Sequence, residues 1–116
     1  MIVRGAVTHV HTTTITTKRG TTQLTALRVL DDHSRMQHGG QPGKSPSPTR
    51  YEVQFVDSKL YEWSEAIAAE FAPGDEVLVY ADDSVRVTTS ASGEATLVVH
   101  GVDLGHATLP LARRSQ

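Results

Sequence analysis

The chain has 116 residues, enough for one hydrophobic core and short for two. It holds no cysteine, which excludes disulfides and thiolate metal sites, and no apolar run near the roughly 18–20 residues of a membrane span. The net charge of −2 speaks against a uniformly basic, polyanion-binding surface, but the charge is unevenly spread. Residues 1–50 carry Arg4, Lys18, Arg19, Arg28, Arg35, Lys44 and Arg50 against Asp31 and Asp32, a balance of +5. Residues 51–116 carry four basic groups against eleven acidic ones, a balance of −7. A polyanion responds to the local basic face rather than to the total. Met1-Ile-Val-Arg-Gly lacks the long apolar segment of a signal peptide, so a cytoplasmic protein is the simplest expectation.

From Ile2 to Thr17 the residues are rich in valine, threonine and isoleucine, which favours a strand over a helix. Gly5 marks a bulge or bend near its start. Lys18-Arg19-Gly20 is a turn signal, and Thr21 to Leu30 is the return strand of a hairpin. Asp31 to Thr49 breaks the pattern with Ser, Gly, Pro, His and Gln, predicting a long, flexible, polar loop over 31–49. Gly43-Lys44-Ser45 within it is a poor phosphate-loop match. The first glycine of that motif falls on His38, and no strand leads directly into a helix there.

Tyr51, Val53 and Phe55 alternate with Glu52 and Gln54, the period of a half-buried strand. Asp57 and Ser58 are helix-capping types, and Trp63, Ile67 and Phe71 repeat every four positions, with Leu60 and Ala66 widening the stripe. Pro73-Gly74 stops this helix, and Glu76 to Tyr80 resumes a β-rich run. Asp82-Asp83 turns the chain. Ser84 to Thr89 and Ala95 to Val102 flank a hairpin signal at Ser90-Ala-Ser-Gly-Glu94. The order β-β-β-α-β-β predicts an all-β, five-stranded OB-fold barrel with one helix between strands 3 and 4. Residues 1–105 form that domain and 106–116 a short C-terminal tail.

Several of these segments together resemble the bacterial single-stranded DNA-binding (SSB) family, including its primosomal replication relatives. Met1-Ile-Val-Arg-Gly-Ala-Val is similar to the opening strand of that family, and Gln23-Leu-Thr-Ala-Leu-Arg-Val to its second. Tyr51-Glu-Val-Gln-Phe-Val resembles its aromatic-led third strand. Trp63-Ser-Glu-Ala-Ile-Ala-Ala-Glu-Phe-Ala-Pro-Gly-Asp-Glu-Val-Leu-Val resembles its helix and fourth strand, and Ala95-Thr-Leu-Val-Val-His-Gly-Val its fifth. The resemblance covers residues 1–105 and rests on order and spacing. It implies non-sequence-specific binding of single-stranded DNA in replication, repair or recombination, a homodimer or homotetramer, and replication or primosome proteins as partners. Two departures point to weaker binding or an accessory role. Of four places where the family stacks aromatics on bases, this chain offers Asp31 to His33, Tyr51, Asp57 and about Thr88, so only Tyr51 remains. The family's acidic tail is replaced by Ala-Arg-Arg-Ser-Gln. The stretch between Val56 and Trp63 is also about one helical turn longer.

Single strands are held by cations along the phosphates and aromatic faces against bases. Arg4, Lys18, Arg19, Arg28, Lys44, Arg50 and Arg86 are the phosphate candidates and Tyr51 the stacking candidate. Outward arginines on strands would be ordered by the barrel, and the scheme requires Arg28 and Arg86 to share a side with Tyr51. Trp63, Phe55 and Phe71 are read as core, whereas Tyr61 lies off the helix stripe. His9 and His11 share one strand face, but a zinc site needs three or four ligands, so no metal or cofactor is expected. No catalytic constellation is evident, and the chain is read as a non-enzyme. A second reading stays open: an OB-fold interaction subunit of a primosome or mobile element with weak nucleic-acid affinity.

Overall fold

The computed structural model describes residues 1–32 and 48–107. Its elements are β1 (Ile2–Thr17), β2 (Gly20–Asp31), β3 (Thr49–Val56), α1 (Trp63–Glu70), β4 (Glu76–Thr89) and β5 (Ala95–His106). The strands close into a barrel in the order β1-β2-β3-β5-β4, with β4 returning to pair with Ile2–Ala6 of β1. All pairings are antiparallel except β3 with β5. This is the expected five-stranded OB-type order with its helix between β3 and β4. Among the described residues no helix is long and apolar enough to cross a membrane.

Strand alternation sets the inside of the barrel. Val3 and Val7 of β1, Leu27 and Val29 of β2, Val53 and Phe55 of β3, Val77 and Val79 of β4 and Val99 of β5 form one buried cluster with Ile67 of α1. Thr25 is the one buried polar residue among those described, and its hydroxyl meets that of Thr12 across the β1–β2 ladder at 3.0 Å. Trp63 lies against Phe55 with ring centroids 4.6 Å apart. Phe71 packs on the same cluster and stacks on His106 at 4.3 Å.

β1 serves two neighbours, β4 through Ile2–Ala6 and β2 through Ala6–Thr17. The change of partner brings Gly5 so close to the backbone of Leu30 that a β-carbon there would overlap the Leu30 carbonyl. The bulge expected near Gly5 lies three residues on, at Thr8, where the register slips between Val7 and His9. Asp82-Asp83 proves to be no turn. β4 runs through it as one strand, and the irregular pairing between Ala81 and Val85 absorbs the extra residues.

The helix begins later than the capping residues predict. Ser58 starts a tight turn instead: its Oγ accepts the amides of Leu60 and Tyr61, and its own amide donates to the Tyr61 carbonyl. Asp57 still caps, but across that turn, accepting the Ser64 amide at 2.8 Å and the Ser64 hydroxyl. Leu60 therefore leaves the core stripe and is 95% exposed.

Gly101 provides a test of the packing. A side chain there would run into the Phe55 ring, which is fully buried. Gly101→Ala is expected to destabilise the fold by about 1–3 kcal/mol through overpacking. A lower urea midpoint at unchanged slope would register it.

Candidate nucleic-acid interface

The strand registers fix which candidates share a surface. His9, Arg28, Glu52, Val98 and Arg86 lie side by side across β1, β2, β3, β5 and β4. The neighbouring row runs Leu30, Arg50, Thr96 and Thr88. Both rows alternate with the buried Leu27, Val29, Val53 and Val99, so they face outward. Arg28, Arg50 and Arg86 thus occupy one outer face. Arg28 and Arg50 are diagonal neighbours, roughly 7–8 Å apart at the backbone, and Arg86 stands three strands from Arg28, roughly 14 Å away. Val98, between Glu52 and Arg86, is only 4% exposed although it is outside the core cluster.

Carboxylates occupy two of these arginines. Arg28 Nη2 lies 3.3 Å from Glu52 Oε1, and Gln54 Nε2 donates to Glu52 Oε2 at 2.8 Å. Glu52 is thereby held on both oxygens with its side chain 20% exposed. Arg50 Nη2 lies 3.1 Å from Glu94 Oε2, at the tip of the β4–β5 hairpin. Arg86 is exposed and has no ion pair among the described residues. The exposed Arg50–Glu94 pair is worth about 0–1 kcal/mol, so a phosphate can exchange with Glu94 at small cost, whereas Glu52 is more firmly held. Glu52 was missed as a site residue, although its place between Tyr51 and Val53 marked it as outward.

The other candidates are elsewhere. Lys18 and Arg19 are exposed at the tip of the β1–β2 hairpin, where Gly20 adopts φ 114°. Gly20 is eight residues along β2 from Arg28, roughly 27 Å. Arg4 sits on the β1–β4 seam opposite Leu78, half-buried, with its Nε unpartnered among the described residues. It belongs to a different side of the barrel from Arg28. Lys44 lies outside the described residues.

Tyr51 corrects the expected geometry. It has the phase of Val53 and Phe55, and its row across the sheet is Val29, Tyr51, Leu97 and Val87, the inward row at the barrel mouth. It is half-buried against the core cluster, and burial, then the charge of Asp31, raises its phenol above the usual tyrosine pKa. Arg28 and Arg86 therefore point to the opposite face of the sheet from Tyr51. The reason is register: Tyr51 pairs with Val29, one position out of step with the Arg28–Glu52–Val98–Arg86 row, so the two rows project to opposite sides. The rim still gathers part of the set. A depression of about 280 Å³ is lined by Thr8, His9, Arg28, Leu30, Arg50 and Tyr51, with Val29 and Thr96. It opens beside the Thr8 bulge, and Arg86 is not part of it. His9 and His11 both face outward, and among the described residues no group of three or more potential ligands could hold a metal.

No family model matches the sequence, and no curated protein does. Among solved structures the fold is similar to that of a small single-stranded DNA-binding protein from Streptomyces coelicolor. The TM-score is 0.54 at 16% identity, over 97% of this chain and 96% of the other. At that identity the likeness establishes the shared fold: a mostly β, SSB-like OB arrangement of five strands and one intervening helix.

Proposed function

We propose that this chain binds single-stranded DNA without reading its sequence, through the outer face of β2, β3, β5 and the β4 hairpin. The observation that carries the reading is the alignment of Arg28, Arg50 and Arg86 on that one face of an SSB-like fold. Phosphates run along the arginines, Lys18 and Arg19 extend the path at the hairpin tip, and Lys44 is a further phosphate candidate, whereas Arg4 on the β1–β4 seam takes no part. Tyr51 acts as a wall of the mouth depression, offering a base one ring edge rather than a free platform. Binding is consequently led by charge, and a role in replication, repair or recombination follows from the ligand. No cofactor and no chemistry are needed for it.

Titration of labelled oligo-dT against duplex tests the reading. Single-strand-selective binding that weakens roughly 20–50-fold between 50 and 200 mM salt is expected for three or four phosphate contacts on a single strand. A flat titration at low salt would overturn it. That result would favour an OB-fold accessory subunit, for which the carboxylate pairing of Arg28 and Arg50 is the supporting observation.

Glu52 allows a sharper check. Glu52→Gln keeps the shape but removes the negative charge beside Arg28, and it is expected to tighten oligo-dT binding by about 5–10-fold at 50 mM salt. Weaker binding by this variant would mean that Glu52 is needed to aim Arg28.

We also read the protein as a homodimer or homotetramer, in keeping with partners among replication or primosome proteins. Ile2 and Val102, both 62% exposed, lie with Met1 and Tyr80 at the β1–β4–β5 seam. β4 covers Ile2–Ala6 of β1 and leaves an edge along His9–Thr17 that pairs with β2 alone. Light scattering of Tyr80→Glu against the unaltered chain checks this, with a fall to monomer mass expected.

A further inference from the structure

The outer face that carries the arginines has cations for phosphates, but its two rows hold no phenylalanine, tyrosine or tryptophan. A third row lies one pleat further along the strands. It runs His11, Ala26, Gln54 and His100 across β1, β2, β3 and β5. These positions face outward as the arginines do, because their chain neighbours Thr25, Leu27, Val53, Phe55 and Val99 are buried. Gly101, next after His100, turns inward against the Phe55 ring. Two positions along a strand separate this row from the Arg28 row by roughly 7 Å, about the depth of the sugar between a phosphate and its base.

Half-buried Ala26 and Gln54 floor the middle of the third row without a ring or a charge, and His100 stands at its end. The His100 side chain is 46% exposed, and its Nδ1 lies 3.6 Å from Asp82 Oδ2. That carboxylate is itself fixed, since Asp82 Oδ1 accepts the Ser84 amide at 3.0 Å. Asp82 and Ser84 belong to the irregular stretch of β4 between Ala81 and Val85, where the sequence predicts a turn. The extra residues there bring a negative charge to the edge of the imidazole. A carboxylate beside Nδ1 favours the tautomer with its proton on that nitrogen and one orientation of the ring. It approaches in the ring plane, so both faces stay clear of it. Unpaired bases stack on histidine as on the larger aromatic side chains, and a ring already oriented loses less freedom in doing so.

We infer that His100 is a base-stacking residue of this face, an assignment that rests on the single-strand reading above. With phosphates along Arg28 and Arg86, the bases turn toward the third row, and one lies over Gln54 against the His100 imidazole. Asp82 is the positioning residue behind it. The free platform that Tyr51 does not offer from the barrel mouth is thus supplied by a histidine on β5.

Oligo-dT and an abasic oligomer of the same length and charge separate the ring from the charge. The quantity to read is the preference of the full chain for oligo-dT over the abasic strand, measured near pH 8, where an imidazole is ordinarily neutral. His100→Ala is expected to lower that preference by about 5–30-fold, with abasic binding unchanged. His100→Phe should keep the preference, whereas His100→Lys should tighten both oligomers alike without restoring it. His100 is exposed, so these changes leave the core untouched. An unchanged preference in His100→Ala, or its recovery by lysine and not by phenylalanine, overturns the assignment. Either result leaves salt-sensitive oligo-dT binding by the unaltered chain in place. Absence of that binding overturns the single-strand reading and this inference together.

Discussion

Alanine at Arg28, Arg50 and Arg86 together is expected to raise the dissociation constant for oligo-dT by on the order of 100–1,000-fold at 50 mM salt. The logarithmic salt slope should fall by about 2. Each phosphate contact on a single strand contributes about 0.7 to that slope through counterion release. Three arginines on one outer face act on one path, so their losses accumulate. The comparison that decides the matter is Arg4→Ala, whose side chain is on the β1–β4 seam and should change affinity little. Equal losses from Arg4→Ala and from Arg86→Ala would show that overall charge, not this face, governs binding. Thermal melts of each variant separate affinity from folding. Removing Arg28 leaves Glu52 hydrogen-bonded only to Gln54, and a small stability change there is expected.

The largest effect on stability is expected from Phe55→Ala, about 3–5 kcal/mol. Domains of this kind are stable by only about 5–15 kcal/mol. Phe55 is fully buried, fills the space that Gly101 leaves open, and carries Trp63 on its other side. Its loss opens a cavity at the point where β3, β5 and α1 meet. Urea denaturation followed by Trp63 emission reads both consequences, since the indole loses its aromatic neighbour in the folded state. A cost below about 1 kcal/mol would mean that α1 collapses into the space.

How much of this was legible in the sequence varies with the range of the interactions involved. β1 was readable because β-branched residues crowd it, and β3 because Tyr51, Val53 and Phe55 alternate with Glu52 and Gln54, both local signals. The start of α1 was not. Asp57 and Ser58 are correct cap types, but Ser58 closes a turn first and Asp57 caps Ser64 seven positions on. The continuity of β4 through Asp82-Asp83 depends on pairing with β5, which no local pattern records. At the site, the outward direction of Arg28 followed from its alternation with Leu27 and Val29. The same rule placed Tyr51 in phase with Val53 and Phe55, so its inward position was available from the sequence. What was hidden is the cross-strand register that sets Glu52 against Arg28 and Glu94 against Arg50.

The seam between β1 and β4 has a consequence for biosynthesis. It joins Ile2 to Tyr80, 78 positions later. At about 5–20 residues per second, a ribosome needs roughly 4–16 s to supply the second half of that pair. Throughout that interval the nascent chain can zip its first hairpin, but the amino-terminal end of β1 has one bare edge. Crowded polysomes expose such edges to one another, so yield on overexpression should depend on elongation speed and on holdase chaperones more than on the stability of the finished barrel.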